Sequence, residues 1–366
     1  MSEFTPDPSP AHRENPRVEI PPLVQRLIDT LRRHPKRVVF TEGEDIRVIR
    51  TAAQLVKEEV IAPILLGNRT KIRTMAEEAG VPLAFIKIIE PELSSDFGLF
   101  CKRVENMARY RTVSGGPAAE LVARPHYFGA LMVQYGQADA LVGGNQALPA
   151  AYFRALLNTI KPAPGVSKIF GVSMLMGGGL KNMGSAGFLL LADTGLIPNP
   201  TVAELAMLAV ETGKLARHFL GHTPHVAMLS HSTKGSAGTP DAKKMEAAAS
   251  LAREMVRQNY LDMEVDGEVQ ADVALDPGAA VVKLSNTIER KPADVLIFPN
   301  LDAADISMKM LQHLAGAHNY GRMIMGLARP AAQVPRTVDV DSLFGTALAV
   351  AVEAIKFHEL HPKSDY

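Results

Sequence analysis

The chain has 366 residues, enough for about two domains of ordinary size, and 47% of them are hydrophobic, as in folded, core-forming proteins. Lys and Arg together number 39, as do Asp and Glu, so no excess positive charge attracts the whole chain to nucleic acid. The single cysteine, Cys101, excludes an internal disulfide and a cysteine-rich zinc site, and no apolar run reaches the roughly 20 residues of a membrane span.

Residues 1–22 are rich in proline, which interrupts helices and strands alike, and they predict a disordered leader. Acidic residues and the absence of an apolar stretch near the N-terminus favour a cytoplasmic protein over a secreted one. Residues 23–33 then carry apolar side chains at helical spacing and predict an amphipathic helix that packs on the folded domain.

Short apolar runs alternate with longer helical segments from residue 37 to residue 160, a pattern that predicts a mainly parallel sheet. We predict strands at 37–41, 62–67, 85–89 and 138–142, and helices at 45–58, 69–79, over most of 97–136 and at 149–160. The segment 161–165, Lys-Pro-Ala-Pro-Gly, interrupts this rhythm and is the best candidate for a crossing between domains.

The second half of the chain repeats the same alternation, so the predicted fold class is α/β throughout. We predict strands at 168–175, 186–192, 225–230 and 294–298, helices at 201–218, 240–258 and 302–314, and a closing segment 323–327 followed by a helix at 340–357. Three consecutive glycines, 177–179, are interpreted as a flexible turn between two strands.

Loops that follow strands matter most for function, because ligands of open parallel sheets bind at the carboxyl ends of the strands. The loop 230–237 combines hydroxyl groups, a lysine and glycines before a predicted helix. Glycines let the backbone approach a ligand, and N–H groups at a helix start favour anions. The loop is therefore either an anion site or an ordinary solvated loop.

Three further strand-end loops carry charged residues. The loop 143–149 leads to Arg154, which is either a bidentate anion ligand or a surface residue. In the loop 300–306, Asp302 is a candidate helix cap and Asp305 lies one turn further in. The segment 333–342 places Arg336, Asp339 and Asp341 before the last helix, with a plain N-cap as the alternative role for Asp339.

Metal chemistry finds little support in the sequence. The histidines are scattered and no HExxH motif is present. The acidic segment 42–45 could hold Mg²⁺, but we interpret it as a solvated turn.

The motifs in this order resemble the phosphate acetyltransferase / phosphate butyryltransferase family over residues 30–360. They are Arg37–Asp45, His126–Val133, Ala138–Gly144, Leu191–Thr194 with Pro198–Thr201, the Ser-His-Ser-Thr-Lys-Gly-Ser loop, Asp266–Asp272, Val295–Asn300 and Gly326–Pro330. The resemblance implies a fold like that of the isocitrate and isopropylmalate dehydrogenases, with two α/β domains flanking a cleft. The first domain would comprise 23–160 plus 321–366, and the second would be the inserted 161–320.

The resemblance also implies the reaction acetyl-CoA + phosphate ⇌ CoA + acetyl phosphate, by direct attack in a ternary complex. Coenzyme A and acetyl-CoA are then substrates, no cofactor is tightly bound, no metal is held by the protein, and neither nucleic acid nor membrane is a partner. The family is usually homodimeric. The many apolar positions of the helix at 201–218 agree with a C2 homodimer.

The resemblance implies roles for residues at matching positions and, where the family residue is replaced, for neighbouring residues. Arg336, Asp341, Asp339 and Ser230 are the expected catalytic residues, whereas Arg154, Arg109, Ser232, Thr233, Lys234, Gly235, Ser236 and Asp305 are expected to bind phosphate or CoA. The family places an arginine at Ala108, beside Arg109, and more often asparagine at Asp305.

Three of the catalytic positions depart from the family pattern, and Ala108 in place of arginine is one of them. Pro335 stands where the family has serine, and Ser342 where it has aspartate, which leaves Asp341 and Asp339 as the nearest carboxylates. Two hypotheses follow: an active acyltransferase with a rearranged base, or a degenerate member that binds CoA as a regulatory or scaffold protein. A dehydrogenase is disfavoured, since no dinucleotide fingerprint follows the first strand.

Overall fold

The structure, a computed structural model, describes residues 21–107, 116–164, 166–185, 187–284 and 291–360. The predicted leader therefore lies outside the described residues, except for its last two prolines. Within the described residues, the helices are α1 Pro22–Arg33, α2 Ile46–Lys57, α3 Arg69–Glu78, α4 Phe97–Asn106, α5 Ala118–Val122, α6 Pro125–Gln134, α7 Pro149–Thr159, α8 Val202–Leu220, α9 Pro240–Gln258, α10 Ala271–Leu275, α11 Pro277–Leu284, α12 Leu301–Leu314 and α13 Val340–Leu360. None of them combines the length and apolar character needed to cross a membrane.

The strands are β1 Lys36–Phe40, β2 Ile61–Leu66, β3 Lys87–Ile89, β4 Ala140–Gly143, β5 Phe170–Met176, β6 Phe188–Ala192, β7 His225–Leu229, β8 Glu264–Val269, β9 Val295–Ile297, β10 His318–Met325 and β11 Ala331–Gln333. They form one sheet in the order β3-β2-β1-β4-β11-β10-β5-β6-β9-β7-β8. Pairing is antiparallel only between β11 and β10, β10 and β5, and β5 and β6. The mixed α/β fold with a mainly parallel sheet is thus confirmed.

The two halves of the sheet meet at β10 and β5. The segment 161–165, expected to cross between domains, lies against residues 326–328, since Ala163 N–H donates to the Gly326 carbonyl at 2.8 Å and Ala328 N–H to the Lys161 carbonyl at 2.7 Å. One expected boundary, between residues 320 and 321, falls inside β10. The division into two domains stays a prediction.

Burial explains why most elements follow the sequence pattern. The amphipathic helix α1 buries its apolar side chains against α13 and α8. Helix α8 is apolar on more than one face because it packs on α9 and on strands β6, β7 and β9 at once. The apolar surplus of α8 is therefore used within the chain, which corrects its interpretation as a dimer surface.

Several elements depart from the sequence predictions. Strand β8 has the sequence Glu-Val-Asp-Gly-Glu-Val and lies at the edge of the sheet, where charged side chains are tolerated. Its composition resembles that of a loop, and the sequence pattern therefore did not predict it as a strand. Strand β11 has only three residues, and β10 begins five residues before the predicted segment 323–327. The predicted glycine turn contains a 3₁₀ turn, Gly178–Leu180.

Candidate functional site

Loops that follow β1, β4 and β11 meet at one edge of the sheet. The strands are parallel neighbours, so their carboxyl ends lie side by side. An open cavity of 590 Å³ occupies this place, and its lining comprises Arg47, Asn145, Gln146, Arg336 and Thr337. Two loops singled out from the sequence, 143–149 and 333–342, therefore share one cavity, which we call the Arg336 cleft.

Arg47 connects the parts of this cleft. Its Nη1 donates to the carbonyl oxygens of Arg336 and Val338, both at 2.8 Å. Its Nε and Nη2 donate to the carboxylate of Asp45, at 3.0 and 2.6 Å. Asp45 in turn accepts a hydrogen bond of 2.7 Å from Asn145 Nδ2. Burial raises the pKa of Asp45, but these hydrogen bonds outweigh it and the pKa lies below its ordinary value.

Glu42 is a second carboxyl beneath the cleft. It accepts hydrogen bonds from the Thr41 hydroxyl at 2.6 Å and from Gly144 N–H at 3.0 Å. Burial raises its pKa above the ordinary value despite these donors. Glu42 and Asp45 are thus held by the chain's own groups, which corrects the interpretation of the segment 42–45 as a solvated turn.

Arg336 presents a free cation at the rim of the cleft. Its side chain is exposed, and among the described residues its guanidinium has no hydrogen-bond or ion-pair partner. The backbone around it is fixed, since Val338 N–H donates to the Pro335 carbonyl at 3.1 Å and Arg47 holds the following carbonyl. A guanidinium group that has no partner and extends from a fixed backbone is suited to binding phosphate or carboxylate through two parallel hydrogen bonds.

The two candidate bases near α13 differ in their surroundings. Asp339 Oδ1 accepts the Ser342 N–H at 2.6 Å, so Asp339 is the N-cap of α13. Asp341 is exposed in the first turn of the same helix. Burial, together with the charges of Asp341 and Asp339, raises the pKa of Tyr320 to about 12. Sequence reasoning missed Tyr320, because it lies on β10 and reaches α13 only through the fold.

The hydroxyl-rich loop between β7 and α9 folds around an acidic side chain of the same chain. The buried carboxylate of Glu268 accepts hydrogen bonds from the Ser232 hydroxyl at 2.9 Å and from Gly235 N–H at 2.7 Å. Ser236 Oγ accepts from Thr233 N–H at 3.0 Å. The loop does form an anion nest, but Glu268 fills it, and no local motif indicates this contact across 33 residues.

Ser230 begins that loop and Lys234 lies near its centre. Lys234 Nζ donates to Asp266 Oδ1 at 2.5 Å and to the Gly267 carbonyl at 3.0 Å. The expected cation is thus already paired in this structure. Ser230 Oγ accepts from Ser232 N–H at 3.2 Å, and its own hydrogen meets no acceptor among the described residues.

The remaining expected residues are dispersed. Arg154 is exposed on α7 and has no hydrogen-bond or ion-pair partner among the described residues. Arg109 lies outside the described residues. Asp305 binds Lys309 Nζ at 2.6 Å, and Asn300, not Asp302, caps α12 by accepting from Ala303 N–H.

Arg322, on β10, is a charged residue that sequence reasoning missed. Its Nη1 donates to Gln333 Oε1 at 3.0 Å, and its Nη2 lies 3.8 Å from Asp305 Oδ1. Its Nε is buried and has no acceptor among the described residues, a situation that costs about 1–3 kcal/mol. Burial lowers the pKa of Arg322, while Asp305 and Asp193 oppose that shift. An arginine inside an apolar strand, Tyr-Gly-Arg-Met-Ile-Met, was the available signal.

Comparisons with known proteins cover almost the whole chain. A family described as "Phosphate acetyl/butaryl transferase" matches residues 22–351. Phosphate acetyltransferase from Staphylococcus aureus (strain MSSA476) is 32% identical over 336 residues, which are 91% of this chain and 99% of that protein. EutD phosphotransacetylase from Staphylococcus aureus superposes with a TM-score of 0.79 at 32% identity, and a phosphotransacetylase from Streptococcus pyogenes with 0.78 at 30%. Each superposition covers 91% of this chain and 98% of the other.

Proposed function

Because this chain belongs to the phosphate acetyl/butaryl transferase family, we propose that it transfers an acetyl group reversibly between coenzyme A and inorganic phosphate at the Arg336 cleft. The observation that carries this placement is the exposed guanidinium of Arg336, on a backbone that Arg47 fixes, at the carboxyl ends of parallel strands. An acyltransferase of this kind must hold one phosphate group and one thiol together.

The reaction requires a base, a cation and a donor. The CoA thiol loses its proton to the base, and its sulfur forms a bond to the carbonyl carbon of acetyl phosphate. The tetrahedral intermediate then collapses, the bond between that carbon and the phosphate oxygen breaks, and inorganic phosphate leaves. Arg336 is the proposed cation for the phosphate. Ser230, whose hydroxyl hydrogen meets no described acceptor, is a proposed donor to the oxyanion.

Asp341 is the proposed base. Asp339 is engaged as the N-cap of α13, whereas Asp341 is exposed two residues further along and carries no hydrogen bond to another described residue. Asp341 is therefore free to accept the thiol proton and to release it to water. Arg154, Arg109 and Asp305 remain proposed ligands of phosphate or CoA. The hydroxyl-rich loop 232–236 is a further proposed contact with the substrate. It would make this contact with the side that does not bind Glu268.

Location, cofactors and assembly are also proposals. Coenzyme A enters as a substrate and no tightly bound cofactor takes part, in a protein of the cytoplasm. We propose a homodimer that uses α12, because Ile306, Met310 and Leu314 are exposed at intervals of four residues and form one apolar face. A second copy of the chain, placed across a twofold axis, would cover this face.

One assay tests the proposed activity. Purified protein is mixed with acetyl, propionyl or butyryl phosphate, and the CoA-dependent release of phosphate and formation of thioester are measured. We expect turnover with acetyl phosphate and at least a tenfold loss in Arg336→Gln, which removes a charged hydrogen-bond donor. If CoA binds but no acyl phosphate reacts, the chain is a degenerate member that binds CoA without transfer.

A further inference from the structure

We propose that Arg322 binds the phosphate group of the substrate and is the second cation of the site, an inference that rests on the proposed acetyl transfer. Arg322 lies where the two halves of the sheet meet. Its neighbours are Gln333, the last residue of β11, Asp193, which follows β6, and Asp305, in the helix that follows β9. Strand ends from both halves thus converge on one guanidinium, the place where open sheets bind their ligands.

The donors of Arg322 are largely unused. Within the described part of the chain, only the hydrogen bond from Nη1 to Gln333 is formed, Nε has no acceptor, and Nη2 stays beyond hydrogen-bond distance of Asp305 at 3.8 Å. A guanidinium carries five N–H donors in a planar fork. The described residues therefore leave this one ready for an acceptor of tetrahedral geometry and negative charge.

The two nearby acids do not use these donors because they are engaged elsewhere. Asp305 forms its hydrogen bond with Lys309, at 2.6 Å. Asp193 accepts backbone N–H groups of Gly171 and Gly195, both at 2.8 Å, and also those of the two following residues. The acids lower the cost of burying the cation without satisfying it, and a phosphate would complete its hydrogen bonds.

Two glycines hold the side chain in this place. A Cβ at Gly195 would come within 2.5 Å of Arg322 Cδ and Nε, and a Cβ at Gly171 within 2.7 Å of Cδ. The stem of Arg322 therefore lies directly on the backbone of the neighbouring segments. With 16% of its side-chain area exposed and its Nε buried, Arg322 is held in position without being fully enclosed.

Arg322 is also linked to the Arg336 cleft. Its partner Gln333 donates from Nε2 to the Val334 carbonyl at 2.6 Å, at the start of the segment that carries Arg336. The expected ligand is inorganic phosphate or the phosphate of an acyl phosphate, and not the thioester. Two cations from successive segments would neutralise a dianion better than one.

Steady-state kinetics of Arg322→Met and Arg322→Lys in the full-length protein test this assignment. We expect the KM for phosphate to rise at least tenfold in Arg322→Met, the KM for CoA in the reverse direction to change less than twofold, and Arg322→Lys to recover part of the loss. Added guanidinium ion at millimolar concentration should partly restore Arg322→Met. Arg217→Met, an exposed arginine on α8 that pairs with Asp262, is the matched control.

Thermal unfolding separates binding from folding. A lower Tm with an unchanged KM for phosphate would make Arg322 a purely structural residue and overturn the proposal. If the wild type shows no transfer at all, the proposed function fails, and calorimetric titration with inorganic phosphate decides about Arg322. Phosphate binding that disappears in Arg322→Met supports the assignment, and binding that persists or is absent in the wild type refutes it.

Discussion

Nη1 of Arg47 lies 2.8 Å from the carbonyl oxygen of Arg336, although the two residues are 289 positions apart in the chain. Arg47 belongs to the first helix after β1, and Arg336 to the segment before the last helix. The same guanidinium also binds Asp45, so the position of Arg336, the proposed phosphate ligand, depends on a partly buried ion pair near the other end of the chain.

Replacing Arg47 should affect both stability and catalysis. In Arg47→Met, Asp45 keeps its burial but loses its cation, and we expect the free energy of unfolding to fall by about 2–4 kcal/mol. The segment carrying Arg336 should also lose its fixed position, with a rise in the KM for phosphate. Chemical denaturation and kinetics check this, with Arg50→Met, exposed on the same helix, as control. Equal behaviour of the two variants would contradict the role of Arg47.

The two aspartates before α13 should separate into a helix cap and a base. Asp339→Ala should lower the free energy of unfolding by about 1 kcal/mol, as the loss of an N-cap does. Asp341→Asn should leave Tm unchanged and lower kcat by about 10²- to 10⁴-fold, the usual contribution of a general base. Thermal melts and turnover with acetyl phosphate measure both. Full activity in Asp341→Asn would refute the choice of this base.

Gly143 should not tolerate a methyl group. A Cβ there would lie 2.0 Å from Thr41 Oγ1 and 2.7 Å from the ring of Tyr152, so the cleft floor would have to shift. We expect Gly143→Ala to destabilise the fold by about 1–3 kcal/mol, the range for overpacking. Gly98→Ala is the matched control, since a Cβ at that position on α4 meets nothing and alanine favours helix. Urea unfolding of both variants gives the comparison.

His126 should make the fold sensitive to acid. Burial, assisted by Arg124, lowers the pKa of His126 from 6.5 to about 4 in the folded state. Between pH 4 and pH 6.5 the unfolded chain binds more protons than the folded chain. The contribution of His126 to the free energy of unfolding is therefore fully present above pH 6.5 and is lost as the pH falls towards 4. The upper limit of this loss is about 3 kcal/mol. Denaturation at several pH values should show that the free energy of unfolding of His126→Gln depends less on pH than that of the wild type. His313 is exposed on α12, and His313→Gln should show the same pH dependence as the wild type.

The apolar face of α12 should control the oligomeric state. Charges at Met310 and Leu314 would be buried against the second copy, so Met310→Glu with Leu314→Glu should yield a monomer in light scattering at micromolar concentration. Leu93 is also exposed and lies far from α12 in the sequence, so Leu93→Glu is the control and should leave the measured molecular mass unchanged. A monomeric wild type would contradict the proposed dimer.

The sequence predicted elements whose own residues impose their conformation. Alternating buried strands and amphipathic helices were identified to within a few residues, and the family motifs located the segment of Arg336. The sequence could not predict contacts that the fold creates between segments that lie far apart along the chain. Glu268 in the hydroxyl-rich loop and Arg322 beside Asp305 belong to this class, because each depends on strand order and not on local spacing. Strand β8 was missed because an edge strand needs no apolar pattern.

Strand β11 is inserted between β4 and β10 and is synthesised after both. On a ribosome that adds about 5–20 residues per second, the edge of β4 would wait roughly 10–40 s for its neighbour. Helix α13, which covers β1 and β4, emerges later still. The nascent first half thus exposes an unpaired strand edge and apolar side chains throughout that interval, so in vivo folding should depend on a chaperone that shields them.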